Sequence, residues 1–173
     1  MLCLGSVSNT GDQAVGLIVL QVVVYMDDGQ QMAVKRVTLP QTVIAPDSSA
    51  PYRALFSRAS VEIDRFGGVA VSVLSAEPAD AALLADLTFE DVRGEISDGL
   101  YRVTGAIRNT GADDLDAVRV VVTVYDEGRR VMGFRAIEIP HVAPDEARII
   151  ALNVMPQVGG VNLSHSLHAE AVR

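Results

Sequence analysis

Apolar and polar residues alternate with a period of two through most of this chain. Ile18, Leu20, Val22 and Val24 fall on one face of the segment 17–25, and Val118, Val120, Val122 and Val124 do the same in 117–125. Side chains alternate sides along an extended backbone, so this period predicts strands with one face in a core. The opposite faces differ. The first carries Leu17, Val19, Gln21, Val23 and Tyr25, and the second Ala117, Arg119, Val121, Thr123 and Tyr125. An acidic-Gly step follows each segment (Asp27-Asp28-Gly29, Asp126-Glu127-Gly128), which is a hairpin signal. It leads into a second strand at 30–39 or 129–139, ending at Pro40 or Pro140. Further strands are expected at 51–57 and 147–154. A last one opens at Gly67-Gly68 or Gly159-Gly160 and closes at Ala76-Glu77 or Ala169-Glu170.

These elements occur in duplicate. Gly5-Ser6-Val7-Ser8-Asn9-Thr10-Gly11 returns as Gly105-Ala106-Ile107-Arg108-Asn109-Thr110-Gly111, a shift of 100 positions. Ala45-Pro46-Asp47 returns as Ala143-Pro144-Asp145. Self-similarity of this kind divides 173 residues into two small units. The expected boundaries are 1–77 and 87–173, joined by a short linker at 78–86. Short strands punctuated by Gly and Pro predict an all-β chain of two tandem immunoglobulin- or fibronectin-III-like sandwiches. The second copy has a leading strand at 87–92 and a turn at Ser97-Asp98-Gly99. The first has no counterpart, because Met1 aligns with Tyr101. It is therefore expected to lack its first strand: either the chain is a fragment of a longer protein, or something else fills that edge.

Composition narrows the function classes. A formal net charge of −8 and the lack of a basic stripe argue against nucleic acid. No run approaches the length of a membrane helix. One cysteine, Cys3, leaves no intrachain disulfide. No basic or apolar leader precedes it, so it is not expected to be a lipoprotein anchor. It aligns with Val103, an inward position, and is read as a buried thiol.

The G-x-[VI]-x-N-T-G segments, the run Val122-Thr123-Val124-Tyr125-Asp126, the Gly turn and the Pro-containing acidic loop together resemble the FxLYD-type domain and the wider CARDB-like group. Copy one departs with Met26 at the place of Asp126. It carries Tyr52 where that family's loop is followed by an aromatic. The resemblance implies an immunoglobulin-like sandwich on an extracytoplasmic or cell-surface protein, and a structural or protein-interaction role with no reaction attached.

Candidate chemistry is sparse. Asp113, Asp114, Asp116 and Asp145 are expected at one end of the second unit, where several carboxylates could offer oxygens to calcium. Their spacing lacks a dedicated calcium-loop pattern, and a solvated acidic rim is the preferred reading. His165 and His168, three apart on a strand, point to opposite faces and should not share a metal. Neither a nucleophile elbow nor a Cys-His pair is found, so no enzyme and no cofactor are expected. Glycan binding lacks aromatic platforms, there being no Trp. Asn162-Leu163-Ser164 fits a glycosylation acceptor but falls in an expected strand. Two features favour a protein partner or self-association: an apolar outer face at Leu17, Val19, Val23 and Tyr25, and an open edge along residues 1–9. The reading is a non-enzymatic interaction or spacer module. The alternative is a ligand-binding module for calcium or glycan at the loop end of the second unit.

Overall fold

The computed structural model describes residues 1–57, 60–84, 86–157 and 162–172. Among them the chain is all-β, apart from short 3-10 turns at Ile63–Arg65 and Ala81–Leu84. It divides into two compact units, Met1–Ala79 and Asp80–Arg173.

In the first unit the strands are β1 (Leu2–Ser8), β2 (Val15–Met26), β3 (Gln31–Thr38), β4 (Val43–Ile44), β5 (Ser49–Leu55) and β6 (Phe66–Pro78). One sheet runs β3-β2-β6, with β4 paired to the start of β2, and the other holds β1 and β5. All of these pairings are antiparallel. Leu20, Val22 and Val24 project from β2 against Ala50, Tyr52 and Ala54 of β5, and this is the core. Leu20, Val22 and Val24 have no exposed surface. A bulge after Gly16 puts Leu17 at φ 48° and turns its side chain outward, which leaves Ile18 in phase with the inward residues.

The second unit comprises β7 (Leu87–Ser97), β8 (Leu100–Asn109), β9 (Leu115–Tyr125), β10 (Val131–Val142), β11 (Ala147–Val154) and β12 (Ser164–Val172). Its sheets are β10-β9-β12 and β11-β8-β7. Val118, Val120, Val122 and Val124 of β9 pack on Tyr101, Val103, Ile107, Ile150, Leu152 and Val154. β10 continues through Pro140 to Val142 instead of stopping at the proline. It is an edge strand of its sheet, where an imino nitrogen that donates nothing can be accommodated. β12 begins at Ser164, so Asn162 precedes the strand and holds φ at 59°. Gly159-Gly160, the expected opening of that strand, lies outside the described residues.

The Asn-Thr-Gly segments owe their recurrence to a buried amide. Asn9 Nδ2 donates to the carbonyls of Gln13 (2.7 Å) and Ile44 (3.0 Å), and its Oδ1 accepts from Gly11 N–H (3.0 Å). Asn109 repeats the set with Asp113 (2.9 Å), Val142 (3.1 Å) and Gly111 (3.0 Å). One side chain thereby ties the end of β1 or β8 to the following loop and to the chain entering the Ala-Pro-Asp turn. That turn has its own logic. Ser48 N–H donates to Ala45 O (3.2 Å) and Glu146 N–H to Ala143 O (3.1 Å). Pro occupies the second place, and Asp47 (φ 54°) or Asp145 (φ 58°) the left-handed third. Asp tolerates that conformation better than most residues.

Removing the amide takes the Asn109 donors from the buried Val142 carbonyl and the part-buried Asp113 carbonyl. Asn109→Ala is expected to lower stability by about 2–4 kcal/mol, read by denaturant unfolding of the full chain. Asn109→Asp, which keeps the acceptor but loses both donors, should cost at least as much.

Candidate functional site

The most distinctive local feature is the flank of the first unit. β8 pairs on one side with β11 and on the other with β7. Its inward residues Tyr101, Val103 and Ile107 are accordingly buried. Among the described residues β1 has β5 as its only neighbour. Its inward residues Cys3 and Val7, and Met1 just ahead of it, reach the core cluster but stay half-buried. Cys3 is thus less enclosed than its alignment with Val103 implies: among the described residues no strand lies along the other edge of β1. The burial it does have pushes its thiol pKa up.

The facing sheet shows the same deficit. Val69, Val71 and Val73 of β6 stand opposite Val24, Val22 and Leu20, and so share their inward direction. They are nevertheless 40%, 41% and 50% exposed. Each forgoes about 1 kcal/mol of the stabilisation that full burial of a valine gives. In the second unit the matching partners of Val124, Val122 and Val120 are His165, Leu167 and Ala169, all at least half-buried. Leu87, Phe89 and Val92 of β7 pack with Leu167 and Ala169 on the same core cluster. The alternation Val69-Ala70-Val71-Ser72-Val73 is legible in the sequence, but nothing in it says that these three valines stay exposed.

The apolar outer face expected at Leu17, Val19, Val23 and Tyr25 is not a continuous patch. Leu17 is 69% exposed, whereas Val23 is 6% exposed between Val34 of β3 and Ala70 of β6. Val19 and Tyr25 are half-buried. The flanking strands cover the middle of this face, and Leu17 stands out because of its bulge.

At the loop end of the second unit, Asp113, Asp114 and Asp116 line an open depression of about 550 Å³ with Asp86 and Asn109. Asp145 does not line it. Its N–H donates to Asn109 O (2.8 Å) and its carbonyl accepts from Arg108 (2.6 Å), so it serves the turn. Among the described residues no three His, Cys, Asp or Glu side chains are placed to hold one metal ion. Arg108 also donates to Glu90 across the β7–β8 pair (2.6 Å), and that hydrogen bond holds the Glu90 carboxyl below its ordinary value.

His165 points inward and shares a hydrogen bond of 2.9 Å with the Tyr101 hydroxyl. β7 passes close to this pair: a side chain at Gly94 would come within 2.3 Å of the Tyr101 hydroxyl and 2.7 Å of His165 Nδ1. His168 lies on the opposite face, 3.2 Å from the buried Glu170, which also pairs with Arg119 (3.2 Å). Arg119 in turn holds Glu138 (2.6 Å), completing a charged ladder across β10, β9 and β12. The first unit has Thr38, Val19 and Ser75 at the matching cross-strand positions.

No family model and no curated protein matches this chain. Similar solved structures include Bacteroides uniformis beta-glucuronidase 2 bound covalently to cyclophellitol-6-carboxylate aziridine, at 10% identity and a TM-score of 0.38. That likeness covers 96% of this chain and 24% of the other, so the chain spans about a quarter of the glucuronidase. A DUF3823 family protein from Bacteroides ovatus is 13% identical, with a TM-score of 0.32, over 98% of this chain and 94% of that one. Likenesses this distant carry no inference about activity.

Burial lowers the His165 pKa. A histidine depressed in the folded state contributes stability that is present above its unfolded pKa, about 6.5, and lost as pH falls toward the folded value. The second unit should therefore melt at lower temperature as pH drops from 7 to 5. His165→Phe should flatten that part of the profile relative to the parent chain.

Proposed function

We propose that this protein is a non-enzymatic structural or protein-interaction module, built from a duplicated immunoglobulin-like unit and working outside the cytoplasm. The contact surface in this reading is the free edge of β1. The observation that carries it is the asymmetry of pairing: β8 has a strand on each side, and β1 has one neighbour among the described residues. Unpaired backbone donors and acceptors along a strand are a template for adding another strand. The exposed valines of β6 extend the same surface with apolar side chains.

The polar groups best placed for chemistry are engaged in structural work. Asn9 and Asn109 anchor loops, Asp145 shapes a turn, and Glu170 is neutralised by Arg119. The resemblance to FxLYD-type and CARDB-like domains supports an extracytoplasmic location and a partner that is a protein or a second copy of the chain. The calcium alternative would use the depression lined by Asp86, Asp113, Asp114 and Asp116, without Asp145.

Hydrogen exchange on the dilute full chain tests the reading. Amides in Leu2–Ser8 that face away from β5 should exchange at least about tenfold faster than the amides of Leu100–Asn109, whose strand is paired on both sides. Equal protection of the two strands in a monomer would mean that the edge is already covered and is not a contact surface.

A further inference from the structure

β11 is an outer strand of the second unit: β8 pairs with one of its edges, and among the described residues no strand lies along the other. A bare edge is a template for adding a strand, and folded chains blunt it with proline, charge or a bulge. The duplicated unit shows such blunting at the same place. β5 is the counterpart of β11, and the matched registers on β1 and β8 set Pro51 against Ile149 and Arg53 against Ala151. Proline removes a backbone donor, and the exposed arginine charges the edge. β11 has neither. Other outer strands of its own unit are blunted as well, β7 by its bulge and Arg93, β10 by Arg135 and Pro140.

The free side of β11 is also regular. The strand pairs with β8 over Ala147–Val154 without a break in register. Its outward row of Ile149, Ala151 and Asn153 is uncharged, and Ile149 is 88% exposed. The one charge in the strand, Arg148, is engaged at its start by Glu146 (2.9 Å) and by the His141 carbonyl (2.9 Å).

We propose that the free edge of β11 pairs antiparallel with β11 of a second copy, joining two β11-β8-β7 sheets into one six-stranded sheet about a two-fold axis at Ile150. A second copy is the occupant because the strand is complementary to itself in that register. Pairing centred on Ile150 sets Ile149 opposite Ala151 of the second copy, large against small, and the symmetry repeats the match. The two Ile149 side chains then meet diagonally across the axis, at the roughly 7–8 Å spacing of such neighbours. Ala106 of each β8 lies beside them. A chain of net charge −8 repels its own copy at long range, and this row brings no charge to the axis. The interface belongs to the second unit and does not depend on β1 taking a partner.

A single edge pairing is a small contact, so the dimer should be weak, with a Kd on the order of 100 µM. The test is sedimentation equilibrium of the full chain from about 10 µM to about 1 mM, at low and high salt, with hydrogen exchange at both ends of that range. The expected result is a monomer–dimer equilibrium, tightened by salt, in which dimerisation slows the amides of Ile149–Asn153. Ala151→Arg puts on β11 the residue that β5 carries and brings two like charges together across the axis. It should weaken the dimer at least about tenfold. Asn153→Arg, at a second exposed position of the same row, serves should Ala151→Arg fail to fold. A chain that stays monomeric to about 1 mM overturns the proposal. A dimer indifferent to the arginine overturns it too, as does one that protects Leu2–Ser8 and not β11, which places self-association on the β1 edge instead.

Discussion

A strand in a β-sandwich has three obligations: two rows of backbone groups to pair and one side-chain face to bury. The second unit meets all three for β8, because β11 takes one edge, β7 the other, and β9 and β12 lie across the core. Much of the local detail follows from that closure. The Tyr101–His165 pair is held beneath Gly94, and Val103 and Ile107 have no exposed surface. In the first unit the same obligations are met for one edge of β1. The consequences spread from that edge to Cys3 and Val7, and across the core to Val69, Val71 and Val73.

The difference in surface chemistry between the units fits this division. The outer face of β9 is knitted by the Glu138–Arg119–Glu170 ladder, with His168 beside Glu170. A carboxylate as buried as Glu170 is tolerated because the Arg119 guanidinium pairs with it and the His168 imidazole lies within hydrogen-bond distance, so removing Arg119 should be strongly destabilising. On β2 the matching outer positions carry no charged ladder, and the middle of that face is closed by its own flanking strands. The available apolar surface of the first unit is therefore the inward face of β6, not the outward face of β2.

Much of the sandwich was legible in the sequence, because period-two alternation in 17–25 and 117–125 reports directly which residues enter the core. The Asn-Thr-Gly and Ala-Pro-Asp repeats marked fold determinants, but their mechanisms were only half visible. The Asn side chain bonds across to Ile44 or Val142, a long-range contact no local pattern announces. In the Ala-Pro-Asp turn the Asp itself carries the left-handed conformation. The second hairpin turn misled in a similar way: Arg129, not Gly128, holds the positive φ, with its guanidinium 5.0 Å from the centre of the Tyr125 ring. The surface was harder to read. Leu17, Val19, Val23 and Tyr25 share a face on paper, but exposure there depends on which strands flank β2. The valines of β6 look like ordinary core residues in the sequence, and their exposure of 40–50% is visible only in the structure.

In the second unit β7 closes the sandwich, and the first unit should respond to a strand of the same kind. A graft measures this: residues 87–100 fused ahead of Met1, with Asp91 deleted and Val92→Ala so that no bulge meets the Tyr52 ring packed over Gly5. The unfolding midpoint of the first unit should rise by about 5–10 °C, with the β1 amides slowed to the level of those in β8. An unchanged or lower midpoint, with β1 still exchanging fast in a folded first unit, would contradict the account.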